Sequence, residues 1–164
     1  MKVFITGAAG FIGSRLARAL LERGDSVVGF DDFNDFYDPA IKRHNVAGLE
    51  KLGGDFRMVE GDMRVADDVN GAIGDGADVI VNLAARAGVR PSLEQPVLYT
   101  DTNVRGLVHI LEAMRERGLK KLVHASSSSV YGGQEKVPFS ETDNISKPWS
   151  PYAATKLANE AMLY

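Results

Sequence analysis

The sequence predicts an α/β fold built on a parallel sheet, and three observations predict it. Five short runs rich in β-branched and apolar residues, at 2–6, 26–30, 56–59, 78–83 and 121–126, read as strands. Segments of helical periodicity lie between most of them, and such alternation marks parallel βαβ units. The first strand leads directly into Thr6-Gly7-Ala8-Ala9-Gly10-Phe11-Ile12-Gly13, a glycine-rich turn that opens a helix.

The helices follow from spacing and punctuation. After the glycine turn, Ile12, Leu16, Ala19 and Leu20 form one apolar stripe while Arg15, Arg18 and Glu22 face away, and Gly24 marks the end. A long core-facing helix is expected over 95–117, with Val104, Leu107, Val108, Leu111 and Met114 at helical spacing and Gly118 as its stop. A last helix begins with Ser150 as N-cap and Pro151 at the first helical position, where a missing N–H costs nothing. The least regular stretch, 131–149, holds Gly132, Gly133, Pro138 and Pro148; loops in that position commonly carry function. With no repeat, low-complexity tract or long linker, residues 1–164 read as one domain.

Composition narrows the function classes. Of 164 residues, 45% are hydrophobic and 25% charged, an ordinary globular balance. A net charge of −3 supplies no basic field for nucleic acid or anionic lipid. The absence of cysteine removes disulfides, thiolate metal sites and a cysteine nucleophile. The apolar stretch Val3-Phe4-Ile5 is too short for a signal core, and no apolar run approaches the roughly 20 residues of a membrane span, so a cytoplasmic protein is expected. His44, His109 and His124 show no ligand spacing, so no metal is implied; His109 reads as an exposed or satisfied side chain and His124 as a structural residue.

Gly7, Gly10 and Gly13 let the turn close tightly and let backbone approach a pyrophosphate, whose charge meets the N–H groups and dipole of the following helix. Strand two ends in Gly29-Phe30-Asp31-Asp32, which places an acid just under twenty residues beyond Gly13, where a carboxylate accepts from ribose hydroxyls. Asp31 is the chosen acid. Asp32, Asp35 and Asp38 precede the first base, Lys42, so a 2′-phosphate would meet repulsion with no guanidinium nearby, and NAD is favoured over NADP. On residue type alone those three acids read as a solvated loop.

Tyr152 and Lys156 lie four positions apart on the last helix and share a face. A tyrosine with its ordinary pKa of about 10 is a poor base near neutrality, and a cation beside it favours the phenolate. Ala125-Ser126-Ser127-Ser128-Ser129-Val130-Tyr131-Gly132 occupies the end of strand five, and ligands of open α/β sheets bind at such ends. One of these serines is expected to bond substrate.

The glycine turn, the serines before Val130-Tyr131-Gly132 and the Tyr152-x-x-x-Lys156 pair together resemble the extended short-chain dehydrogenase/reductase family of NAD-dependent epimerases and dehydratases. Ala84-Ala85-Arg86-Ala87-Gly88-Val89-Arg90, Asp31-Asp32-Phe33-Asn34-Asp35-Phe36-Tyr37 and Pro151-Tyr152-Ala153-Ala154-Thr155-Lys156 are most similar to the UDP-glucuronate 4-epimerases. The resemblance covers nearly the whole chain but only the family's N-terminal half, and it implies a Rossmann-like doubly wound sheet in strand order 3-2-1-4-5 without the C-terminal substrate domain. It implies catalytic roles for Ser127, Tyr152 and Lys156. Contacts to NAD are implied for Gly7, Ala9, Gly10, Phe11, Ile12 and Gly13, for Asp31, Asp32 and Asn34, and for Asp62 and Met63 after strand three. Leu83, Ala84, Ala85 and Ala87 would line the cofactor, Asn103 would support the site, and Ser126, Tyr152 and Lys156 would also reach the cofactor. Ser127 and Ser128 would meet the substrate, with Arg90 for a substrate anion.

The implied reaction has Tyr152 taking the proton of a sugar 4-hydroxyl as hydride passes to NAD, giving a 4-keto sugar that turns over before hydride returns to its other face. Net redox change is zero. The sugar-nucleotide 4,6-dehydratases carry an Asp-Glu pair after their catalytic Thr; Ser128 and Ser129 stand there, so elimination of water lacks its carboxylates. A sheet ending at strand five exposes an edge, as expected of an oligomer such as a homodimer, a fragment or a strained form. Two other functions stay open at this point: a non-catalytic nucleotide-binding or assembly module, and a stand-alone reductase using NADH.

Overall fold

The computed structural model describes Met1–Tyr164. Its contacts divide the chain into two compact units, Met1–Ala84 with His109–His124, and Ala85–Val108 with Ala125–Tyr164.

The first unit holds the whole sheet. Its strands are β1 (Lys2–Thr6), β2 (Ser26–Asp31), β3 (Phe56–Glu60), β4 (Val79–Asn82) and β5 (Leu122–His124), all parallel in the order β3-β2-β1-β4-β5. This is the expected Rossmann-like order. Between them run α1 (Phe11–Glu22), α2 (Pro39–Glu50) and α3 (Ala66–Ile73). Side chains alternate across the sheet, and parallel strands are apolar on both faces. Phe4, Val28, Phe30 and Ile80 therefore pack with Val69 and Ile73 of α3, whereas Val3, Ile5, Val27 and Val81 pack with Ala17, Leu20 and Leu21 of α1 and Leu49 of α2.

Strand ends differ from the sequence reading for a pairing reason. β5 has one neighbour, β4, and their register closes at Asn82 opposite His124, so Ala125 and Ser126 leave the ladder. β2 gains Asp31, which pairs with Glu60. As expected of an edge, β5 leaves Val123 56% exposed.

The stripe of α1 also needs correction. Ile12 is 66% exposed, and the buried positions are Gly13, Ser14, Ala17, Leu20 and Leu21. The glycine turn presses the helix start against β1, which rotates the packed face onto the small residues. In the long helical segment, Leu107 and Met114 are buried as expected, and Asn103, Ile110 and Ala113 join them on the packed face, whereas Val108 is 38% exposed.

The second unit contains α4 (Val89–Glu94) and α5 (Pro96–Thr100), which continues through a π-helical turn, Asp101–Arg105, into α6 (Gly106–Arg117). α6 passes into the first unit after Val108. A 3₁₀ turn, Ser128–Tyr131, and α7 (Pro151–Leu163) complete the unit. Ser150 caps α7 as expected, its hydroxyl accepting from Ala153 N at 3.1 Å. The irregular loop is tied by Tyr131, whose ring stacks on Phe139 and whose hydroxyl donates to Ser140 O at 3.1 Å. No helix is long and apolar enough to cross a membrane.

Candidate functional site

In the first unit the glycine turn is closed by backbone. Gly7 has φ +69°, and its N–H donates to Phe30 O at 2.8 Å. A Cβ on Gly7 would lie 2.9 Å from Ala84 N, and one on Gly13 would lie 2.1 Å from Gly7 O. Both positions admit only glycine. Gly10 is the N-cap of α1 and supplies no side-chain acceptor, so the first N–H groups of the helix stay available to an anion. Ala9 is fully buried, whereas Phe11 and Ile12 stand 76% and 66% exposed beside that helix start.

Asp31 closes the back of this turn. One carboxylate oxygen accepts from Ala9 N at 3.2 Å, and the other accepts from Phe33 N at 2.9 Å and Lys42 Nζ at 3.0 Å. The expectation that no guanidinium lies near these acids needs correction, since Arg43 follows Lys42 into this region. Lys42 is buried on Asp31, and the Arg43 guanidinium lies 3.8 Å from the Phe33 ring centre. The signal was present: Lys42, Val46 and Leu49 are the buried positions of α2, at helical i, i+4, i+7 spacing. Of the other acids, Asp35 is exposed as expected of a solvated loop, but two are engaged. Asp32 accepts from Asn34 through both its backbone N–H and its side-chain amide, and Asp38 caps α2 through Ala40 N at 2.9 Å.

After β3, Asp62 accepts from Arg64, and buried Met63 offers its carbonyl to His109 Nδ1 at 2.8 Å. After β4, Thr6 Oγ1 donates to Asn82 Oδ1 at 2.5 Å and accepts from Ala84 N at 3.1 Å, while Leu83 N donates to Thr6 O. Asn82 also meets His124 Nδ1 at 3.0 Å, so both histidines are satisfied as read.

The second unit carries the candidate reacting groups. Tyr152 is half-buried, its ring edge-on to Tyr99 at 6.2 Å between centroids. One turn on, Lys156 is 3% exposed and donates from Nζ to Ala125 O at 2.8 Å. Burial pushes the Lys156 ammonium down from 10.5 to about 8. Ser127 is half-buried as the N-cap of the 3₁₀ turn, accepting from Ser129 N and donating to Ser129 Oγ. Ser126 donates to Glu160, and Ser128 is exposed. Arg90 is exposed on α4. The Asp143 carboxylate is occupied by Gln134, Lys136 and Ser140 N.

Asn103, 2% exposed inside the π-helical turn, holds this unit together. Its Oδ1 accepts from Arg86 N at 2.8 Å, and its Nδ2 donates to Arg86 O and Thr155 Oγ1, each at 3.1 Å. Its carbonyl accepts from Asn159 Nδ2 at 3.1 Å. Tyr99 donates to Ala87 O at 2.5 Å, fixing the segment after Ala85. Single-turn π elements recur at functional sites, where they re-aim one side chain. Tyr99, Thr155 and Asn159 were not singled out in the sequence.

These two sets of residues invite comparison with known proteins. The family described as GDP-mannose 4,6 dehydratase matches residues 4–164. The chain belongs to this family. Among curated members, it is 44% identical to Protein CapI of Staphylococcus aureus over 165 residues, covering all of this chain and 49% of that protein. It is 45% identical to UDP-glucuronate 4-epimerase 1 of Arabidopsis thaliana over 170 residues, covering all of this chain and 38% of that enzyme. The solved UDP-glucuronic acid 4-epimerase of Bacillus cereus, in complex with UDP-glucuronic acid and NAD, superposes with a TM-score of 0.87 at 38% identity, covering 99% of this chain and 51% of that one. The chain spans half or less of the length of these curated relatives.

The buried lysine makes a pH-dependent prediction. Its pKa is lower in the folded state than in the unfolded one, so between about 8 and 10.5 the unfolded chain binds more protons and native stability rises with pH. The cost of the buried charge below that window is on the order of 3 kcal/mol. Lys156→Met is expected to flatten this rise, read as urea midpoints of both proteins across the window; parallel pH profiles would refute it.

Proposed function

We propose that this chain carries the NAD-binding part and the reacting side chains of a nucleotide-sugar 4-epimerase that interconverts UDP-glucuronate and UDP-galacturonate. The observation that carries the reading is Lys156, an ammonium buried one helical turn from Tyr152 and anchored on Ala125 O at the exit of β5. A lysine so buried costs stability, and stabilising a phenolate is the use that accounts for it. The named 4-epimerase relatives support the reaction class.

The residues of the first unit fit a dinucleotide. The cradle at Gly7 and Gly13, which any Cβ would fill, admits a pyrophosphate on the N–H groups of α1, and Asp31 offers an acceptor to the adenosine ribose. Bound there, NAD supplies the hydride acceptor and donor. Tyr152 removes the proton of the sugar 4-hydroxyl and returns it when the alcohol re-forms, while the Lys156 ammonium stabilises the phenolate in between. The Ser127 hydroxyl orients the reacting oxygen, and Arg90 offers its guanidinium to a substrate anion. Carboxylates for elimination are lacking at Ser128 and Ser129, and Asp143 is held within its own loop, which favours epimerisation over dehydration.

Incubation of the protein with UDP-glucuronate, followed by proton NMR, is expected to show the galacto epimer, with the same mixture reached from UDP-galacturonate and no accumulation of NADH. Turnover of a different UDP-sugar with neither uronate converted would reject the substrate.

A further inference from the structure

We propose that the cleft between α1 and α2 is a binding site for a phosphoryl group, separate from the dinucleotide cradle and built on Arg15, Arg18 and His44. The site does not depend on the NAD reading above.

The two helices share an apolar cluster in which Ala17, Leu20 and Leu21 of α1 meet Leu49 of α2. Beside it opens a cavity of about 140 Å³, lined from α1 by Ser14, Arg15 and Arg18 and from α2 by His44, Asn45 and Gly48. Ser14 and Arg18 stand four positions apart, as do His44 and Gly48, so each helix turns one polar face to the cleft. Cavities of about 150 Å³ take a benzene-sized guest, and a phosphoryl group is no larger.

The lining has one sign of charge. No carboxylate takes part in it. Arg15 and His44 have no ion-pair or hydrogen-bond partner in the chain, and Arg18 meets only Glu22, at 3.9 Å, with the two side chains 39% and 59% exposed. Such an exposed contact is weak and is readily exchanged for a better one. Two guanidiniums three positions apart on one helix also repel each other, and an anion between them relieves that repulsion. A phosphoryl group presents three acceptor oxygens, one for each of these three side chains, and arginine forks match them with paired N–H donors.

Gly48 keeps the cleft open. Glycine inside a helix is less stable than alanine, and its backbone here is not left-handed. A Cβ at Gly48 would meet only Arg18 Nη2, at an ordinary 3.5 Å, so packing does not demand glycine. Its effect is to leave space beneath the Arg18 guanidinium. The lining includes neither Asp31 nor any residue of Gly7–Gly13, although Asn45 on its wall donates from Nδ2 to Ala9 O at 2.9 Å.

The test is calorimetric titration with inorganic phosphate and with glycerol phosphate, each in the presence of saturating NAD. One equivalent is expected to bind. Arg18→Gln is expected to weaken it by about tenfold, the scale of one hydrogen bond to a charged group. Gly48→Leu retains all three cationic side chains but fills the cleft, and is expected to weaken binding at least as much. Tighter binding of the ester identifies the phosphoryl end of a metabolite and equal binding a free phosphate ion; either supports the site. Absence of binding when NAD is present overturns the proposal. So does full affinity in Arg18→Gln, or in Gly48→Leu, where surface charge alone would then suffice.

Discussion

Replacing Tyr152 by phenylalanine is expected to lower epimerase turnover by about 10²–10⁴, the range of a positioned proton-transfer group, while leaving folding unchanged. Phenylalanine keeps the ring and its edge-on contact with Tyr99 at 6.2 Å. Only the hydroxyl is lost, and no hydrogen bond of that hydroxyl ties Tyr152 to the rest of its unit. α7 remains fixed through Ser150, Thr155 and Asn159. Melting curves should therefore overlay those of the unaltered protein while the NMR rate of uronate interconversion collapses. Turnover within a few-fold of normal would remove Tyr152 from the chemistry and with it the proposed role of Lys156.

The fold was legible because each of its devices is local. The β-branched runs gave all five strands, and the Gly7–Gly13 spacing places a turn whose sterics the structure enforces to within a Cβ atom. Ser150 and Pro151 fixed the start of α7, and hence the phase that puts Tyr152 and Lys156 on one face. What the residues alone did not reveal depends on partners distant in sequence. Asn103 meets Arg86, Thr155 and Asn159, and only the fold gathers them. A buried asparagine in a helix also escapes a search for apolar stripes, so Asn103 is not legible as a member of the packed face. Lys42 was passed over for a related reason, since a lysine after an acidic loop reads as solvated. Its i, i+4, i+7 relation to Val46 and Leu49 was visible, but a charged residue in a stripe is normally an interruption rather than a member.

Gly13→Ala is expected to reverse the usual helix rule. In an open helix interior, alanine is more stable than glycine by roughly 0.5–1 kcal/mol, because it restricts the unfolded chain. At Gly13 the added methyl would sit 2.1 Å from Gly7 O and 2.8 Å from Ala8 Cα, all backbone atoms of a turn held by the bond from Gly7 N to Phe30 O. No rotamer relieves such a clash, so either α1 withdraws from β1 or the turn opens. Overpacking of this kind costs about 1–3 kcal/mol, and the loss of the cradle should abolish measurable NAD binding. Gly71→Ala, on α3 with open space around its Cβ position, supplies the control. It should raise the thermal midpoint by a few degrees and leave NAD affinity alone, about 2–4 °C per kcal/mol being usual for a chain of this size. If both variants are stabilised alike and both bind NAD, the close approach of α1 to β1 is not what forms the dinucleotide cradle.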